Sequence, residues 1–116
     1  MPNRSSYFQY CLMIKVYIPT NKGVKEVMAD NIIRVEANSN YSKIYFNNAY
    51  PLTVAKVLHW FEEILPDNFF YRIHRGHIVN RRFIASISDD DKLLLANGEQ
   101  LQVSKRKKRD FRKMVA

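Results

Sequence analysis

The chain has one cysteine and three glycines in 116 residues, and the glycines, Gly23, Gly76 and Gly98, stand far apart. A lone Cys11 excludes an intrachain disulfide framework and any zinc site built from paired cysteines. Isolated glycines exclude a phosphate-cradling Gly-rich loop. No apolar run approaches the roughly 18 residues that a membrane span needs. The opening segment is broken by Gln9, Lys15 and Pro19 and has no small-residue cleavage site, so it does not read as a signal peptide. These absences make the cytoplasm the expected location.

Signatures of catalysis and of metal binding are missing too. No serine lies in a nucleophile-elbow context, and His59 falls on the polar side of a helical pattern beside Glu63. The triplet Asp89-Asp90-Asp91 lacks the glycine and distal glutamate of a calcium loop and reads as a solvated turn. His74 and His77 are three apart, but Gly76 between them discourages a helix, and on one strand that odd offset points them to opposite faces. The expectation is a non-enzyme with no cofactor, no metal and no small-molecule substrate.

Acids are scarce where bases are dense. Segments 72–82 and 105–113 hold 11 of the 19 Lys and Arg against one acid, Asp110, while the rest of the chain is close to neutral. A charge of +8 spread for solubility would not cluster in this way. Concentration into two short segments is what recognition of a polyanion requires.

What is present is enough for one core: hydrophobic residues make up 47% and aromatics 13%. After a leader over 1–12, a single domain is expected over 13–116. Period-two patterns predict strands over 13–19, 24–29, 32–37, 41–46 and 50–54, with turns at Asn21-Lys22-Gly23, Asn38-Ser39-Asn40 and Asn47-Asn48. Val54, Val57, Leu58, Phe61, Ile64 and Leu65 then recur at helical spacing, with Thr53 as cap and Pro66 as stop. Strands resume over 69–73, 77–80, 83–88, 92–96 and 99–103, the last two joined by Asn97-Gly98, a strong hairpin signal. Ser104 caps a short basic helix over 105–116 with Phe111, Met114 and Val115 as its apolar contacts. The fold class is therefore mostly β, with one amphipathic helix and a short basic C-terminal helix.

Three places have chemistry suited to nucleic acid. Lys105, Arg106, Lys108 and Arg109 crowd the positive end of the terminal helix dipole, which costs stability until a phosphate arrives. Such a local inconsistency marks function, although a solvated basic tail has the same composition. His74, Arg75 and His77 lie where a continuous strand pattern is interrupted, and arginine there can fork onto a phosphate or a guanine edge. Asn80 at the end of that stretch reads as a residue that bonds backbone. Asn40, Tyr41, Ser42 and Lys43 supply an amide, hydroxyls and an ammonium in a third loop, unremarkable alone but of the same chemistry.

These elements, in this order, resemble the LytTR DNA-binding domain of bacterial response regulators. The carriers are IIRVEANSNYSKIYF, LPDNFFYRIHRGHIVNRRFIASI and LANGEQLQVSKRKKRDFRKMV. The second of these is similar to the family's central motif, an Arg-X-His-Arg-Ser core leading to Val-Asn. The resemblance spans about residues 13 to 115. It implies an elongated β fold whose loops enter the DNA major groove, with contacts from Asn40, Tyr41, Ser42, Lys43, His74, Arg75, Lys105 and Arg106. It also implies tandem repeated sites on double-stranded DNA, occupied by two copies and bent. Gly76 stands where the family usually has serine, which removes one phosphate contact and is expected to leave that loop more mobile. With 116 residues there is no space for the receiver domain common in the family. A stand-alone regulator would take its signal from a partner protein, from a membrane inhibitor or from its own expression level; a fragment of a longer chain is the other arrangement. Two other functions fit the same composition: a non-specific RNA or single-strand binding β module, and a basic adaptor for an acidic protein.

Overall fold

The computed structural model describes residues 14–105 and 107. Ten antiparallel strands form three sheets. β1 (Lys15–Thr20) and β2 (Gly23–Met28) make a two-stranded ribbon. The central sheet has five strands in the order β5-β4-β3-β7-β6. Its members are β3 (Ile32–Asn38), β4 (Tyr41–Phe46), β5 (Leu52–Val54), β6 (Phe70–His74) and β7 (His77–Asn80). β8 (Ile84–Ile87), β9 (Lys92–Leu95) and β10 (Gln100–Gln102) form the third sheet. Gly98 serves the β9–β10 turn with a φ of 93°, a conformation that favours glycine.

Two cores meet on opposite faces of the central sheet. Ile32, Val35, Ile44, Phe70 and Ile78 face one way, towards Val16 and Ile18 of the ribbon and Leu58, Phe61 and Leu65 of the helical segment. Ile33, Tyr71, Ile73 and Val79 face the other way, towards Leu93, Leu95, Leu101 and Val103 of the third sheet. Burial on both faces explains why this region reads as near-continuous apolar runs rather than clean alternation. Each fully buried side chain of this kind contributes about 1.5–3 kcal/mol.

The helix α1 (Leu58–Ile64) starts later than its sequence pattern suggests. Thr53 and Val54 belong to β5, and Val57 occupies the cap position with no side-chain hydrogen bond. Val54 is buried by strand pairing with Ser42, and Val57 is exposed, so neither belongs to the apolar side of the helix. The 83–88 strand is also trimmed, because Phe83 closes a 3-10 turn over Arg81–Phe83. Asn80 bonds backbone as expected: buried, it donates Nδ2 to Ile32 O at 2.9 Å and accepts from Arg82 N at 3.0 Å. Among the described residues no helix is long and apolar enough to cross a membrane.

Candidate nucleic-acid interface

The register of the central sheet brings separate parts of the sequence to one end. β3 and β4 close through Ser39-Asn40, with Asn38 opposite Tyr41. Ser39 has a φ of 58°, the left-handed geometry that suits a two-residue hairpin turn. β6 and β7 close through Arg75-Gly76, with His74 opposite His77. β3 also pairs with β7, Glu36 opposite His77, so the second turn lies beside the first. Ala37 N donates to Gly76 O at 2.8 Å and locks the two together.

The start of the basic terminal segment joins them. Ser104 N donates to Ile73 O at 2.8 Å, one residue before His74. Ser104 Oγ then accepts from Lys107 N at 3.1 Å, which is the capping bond expected of it. Lys105 and Lys107 are exposed there. Arg106, Lys108, Arg109 and the apolar contacts Phe111, Met114 and Val115 lie outside the described residues, as does the leader 1–12.

The basic stretch 72–82 divides once its partners are known. Arg72 pairs with Glu62 on α1, and Arg82 pairs with the fully buried Asp30. Arg75 is exposed and makes no ion pair among the described residues. It is therefore the guanidinium of this turn that is available to an outside anion. Gly76 N donates to His74 Nδ1 at 3.1 Å, so one ring nitrogen of His74 is already in use. The two histidine rings sit across the hairpin with centroids 6.2 Å apart, a cross-strand pair rather than the opposite-face pair that a single strand gives. Among the described residues no three metal-ligating side chains of the His, Cys, Asp and Glu types come together.

Two residues expected to face a ligand turn inward instead. Ser42 is fully buried, and its hydroxyl donates to Lys56 O at 2.5 Å. His77 is half-buried on the face of the second core, with Nε2 3.2 Å from Glu36 Oε1. Asn40 and Tyr41 are exposed at the tip, and Lys43 is half-buried with its ammonium 5.3 Å from the Tyr45 ring centroid. The Ser42 bond has a consequence for Lys56, which it places beside the same end of the sheet. Thr20 and Asn21 of the β1–β2 turn line one recess with Tyr41, Thr53 and Lys56. Nothing in the local pattern marked Lys56; only the junction of a strand with a helix hinted at it.

Behind the tips lies a charged network. Arg34, 6% exposed, bonds Glu99 Oε2 at 2.7 Å, approaches Glu36 Oε1 at 3.8 Å and stacks on Tyr45 at 3.7 Å. Tyr45 OH donates to Glu36 Oε2 at 3.2 Å. The hydrogen bond from Arg34 holds the Glu99 carboxyl below the usual range. Burial pushes the His77 pKa down, and this outweighs the attraction of Glu36. His77 thus binds a proton less tightly in the folded protein than in the unfolded chain. Its contribution to stability is complete above 6.5 and is lost as pH falls from there through the lowered folded value. Glu99 has the same sign, with its own loss beginning near 4.5. Urea unfolding across the acid range should show two successive declines. In a His77→Gln variant the upper decline should vanish and the lower one persist; an unchanged upper decline would assign it to another group.

Comparison with known proteins agrees with this architecture. The LytTr DNA-binding domain family model matches residues 22–116. One solved structure is the LytTr DNA-binding domain of a methyl-accepting/DNA response regulator from Bacillus cereus. It is 29% identical to this chain and superposes with a TM-score of 0.74, over 88% of this chain and 96% of that chain. None of the curated proteins matches. The mostly β architecture with one helix is the LytTr-type fold. DNA is accordingly the partner and transcription regulation the setting, and the chain belongs to the LytTR family of DNA-binding domains, which are not enzymes.

Proposed function

We propose that the chain reads specific sequences of double-stranded DNA with the turn-bearing end of its central sheet. Arg75 and Asn40, at the tips, read base edges in the major groove, and Tyr41 and Lys43 flank them. Lys105, Arg106, Lys108 and Arg109 grip phosphates, and Lys56 adds a further backbone contact. His74 acts chiefly through the backbone of its turn. The observation that carries this reading is the meeting of segments 38–41, 74–77 and 104–105 at one end, with Arg75 exposed and paired with no acid among the described residues. Tips serve as readers because a hairpin fits the major groove as a helix does. Two copies on tandem sites, a bent duplex, a cytoplasmic location and control by a signalling partner or membrane inhibitor complete the proposal.

Among the described residues the exposed aromatics argue against a single-strand binder. Tyr17, Tyr41 and Tyr50 stand on three different elements, β1, β4 and the loop before β5, whereas single strands are held by a row of stacking rings. Selection of bound duplexes, followed by titration at several salt concentrations, tests the proposal. The selected duplex should bind at least roughly 10³ more tightly than random duplex. The log–log salt slope should be about −5 if about six phosphates are neutralised. Equal affinity for selected and random duplexes, or tighter binding to single strands, would overturn it.

A further inference from the structure

Arg72 is buried enough to be costly and is placed to do something other than fill a core. It lies on β6 in a recess between α1 and the sheet, lined by Phe61, Glu62, Phe70 and Ile78. Its guanidinium forks. Nη1 pairs with Glu62 of α1, and Nη2 donates to Arg75 O at 2.8 Å, in the turn three residues ahead. A bulge between Arg72 and His74 breaks the regular pairing at that point, and such bulges re-aim the strand end.

The other bonds of the turn complete a pattern. Gly76 O accepts from Ala37 N of β3, and Gly76 N donates to His74 Nδ1. Both residues of the Arg75-Gly76 turn therefore have their backbone fixed from outside the turn, by α1 through Arg72, by β3 and by β6. The Arg75 side chain is exposed and makes no ion pair among the described residues. This arrangement counters the mobility expected of a glycine at position 76. A reader mounted on a fixed backbone loses less freedom on binding, and a wrong base cannot draw it into a substitute geometry.

We infer that Arg72 is a positioning residue for base reading: it suspends the backbone of the Arg75 turn from Glu62 on α1. The inference rests on the proposed role of Arg75 for its consequence on DNA, but not for its consequence on the turn. Two variants test it, Arg72→Gln and Glu62→Gln, the second changing a half-exposed residue on the surface of α1. In the free protein, amide hydrogen exchange at Arg75 and Gly76 should accelerate in both variants, more in Arg72→Gln, while central-sheet amides keep their protection. On DNA, the ratio of selected to random affinity should fall by about three- to ten-fold, the cost of ordering one or more side chains anew. The salt slope should stay at the wild-type value.

Other outcomes decide against it. If Arg72 touches a phosphate itself, Arg72→Gln lowers the salt slope by about 0.9, and Glu62→Gln raises affinity for all duplexes with the ratio intact. If folded Arg72→Gln shows wild-type exchange at Gly76, the suspension is absent. A wild type with no preference for any duplex would defeat the sequence-reading proposal alone, since exchange at the turn still decides the role of Arg72.

Discussion

Arg34→Ala should cost about 3 kcal/mol of stability, the lower end of the range for breaking a buried ion pair because its partners are partly hydrated. Arg34 is almost wholly buried, and it is the cation shared by Glu99 and Glu36. Its loss leaves Glu99 and Glu36 without their shared cation and uncovers the Tyr45 ring on which it stacks. Nε of Arg34 finds no hydrogen-bond partner among the described residues, so the guanidinium is incompletely compensated there for its desolvation. A second result follows from that defect. Arg34→Met combined with Glu99→Leu should recover most of the loss, because apolar pairs of similar volume often replace a buried ion pair without penalty. Urea unfolding of the two variants checks both statements. If Arg34→Ala lies within about 1 kcal/mol of wild type, solvent screens the network and it behaves as a surface pair.

Arg75→Ala should leave stability within about 0.5 kcal/mol of wild type, since the side chain is exposed and makes no ion pair among the described residues. Its effect should appear on DNA. If the guanidinium forks onto a guanine, binding to the selected duplex should weaken by on the order of 1–3 kcal/mol, and preference at one base position should relax. Lys105→Ala should differ in kind: all duplexes weaken alike and the salt slope flattens by about one. Competition binding on a panel of single-base variants separates the two patterns. Should Arg75→Ala weaken every duplex equally, the division between reading at the turn and gripping at the terminal segment is wrong.

The strands were legible because alternation and turn residues agreed, as at Asn97-Gly98. The start of α1 was not, because Val54 continues the alternation of β5 and also fits the helical period of Leu58 and Phe61. Two periods overlap there, and hydrogen bonding decides between them. Ser42 shares strand parity with the buried Ile44, and that parity points it to the core. The same parity links His77 to Val79. The partners of Arg72 and Arg82 are not legible in the sequence, since Glu62 and Asp30 lie on other elements and only tertiary packing brings them close. Two of the four arginines in that run thus have acidic partners, and Arg75 is the exposed one.

β3 joins the two hairpins, closing the first with β4 and pairing on its other side with β7 of the second. The axes of the two hairpins are therefore separated by two strand spacings, about 10 Å. That interval is set by backbone hydrogen bonds and does not vary with side chains. Along a duplex it matches about three base-pair steps. On the proposed reading the central sheet acts as a ruler: substitutions at either tip would change which base is chosen, while the distance between the chosen positions would stay constant.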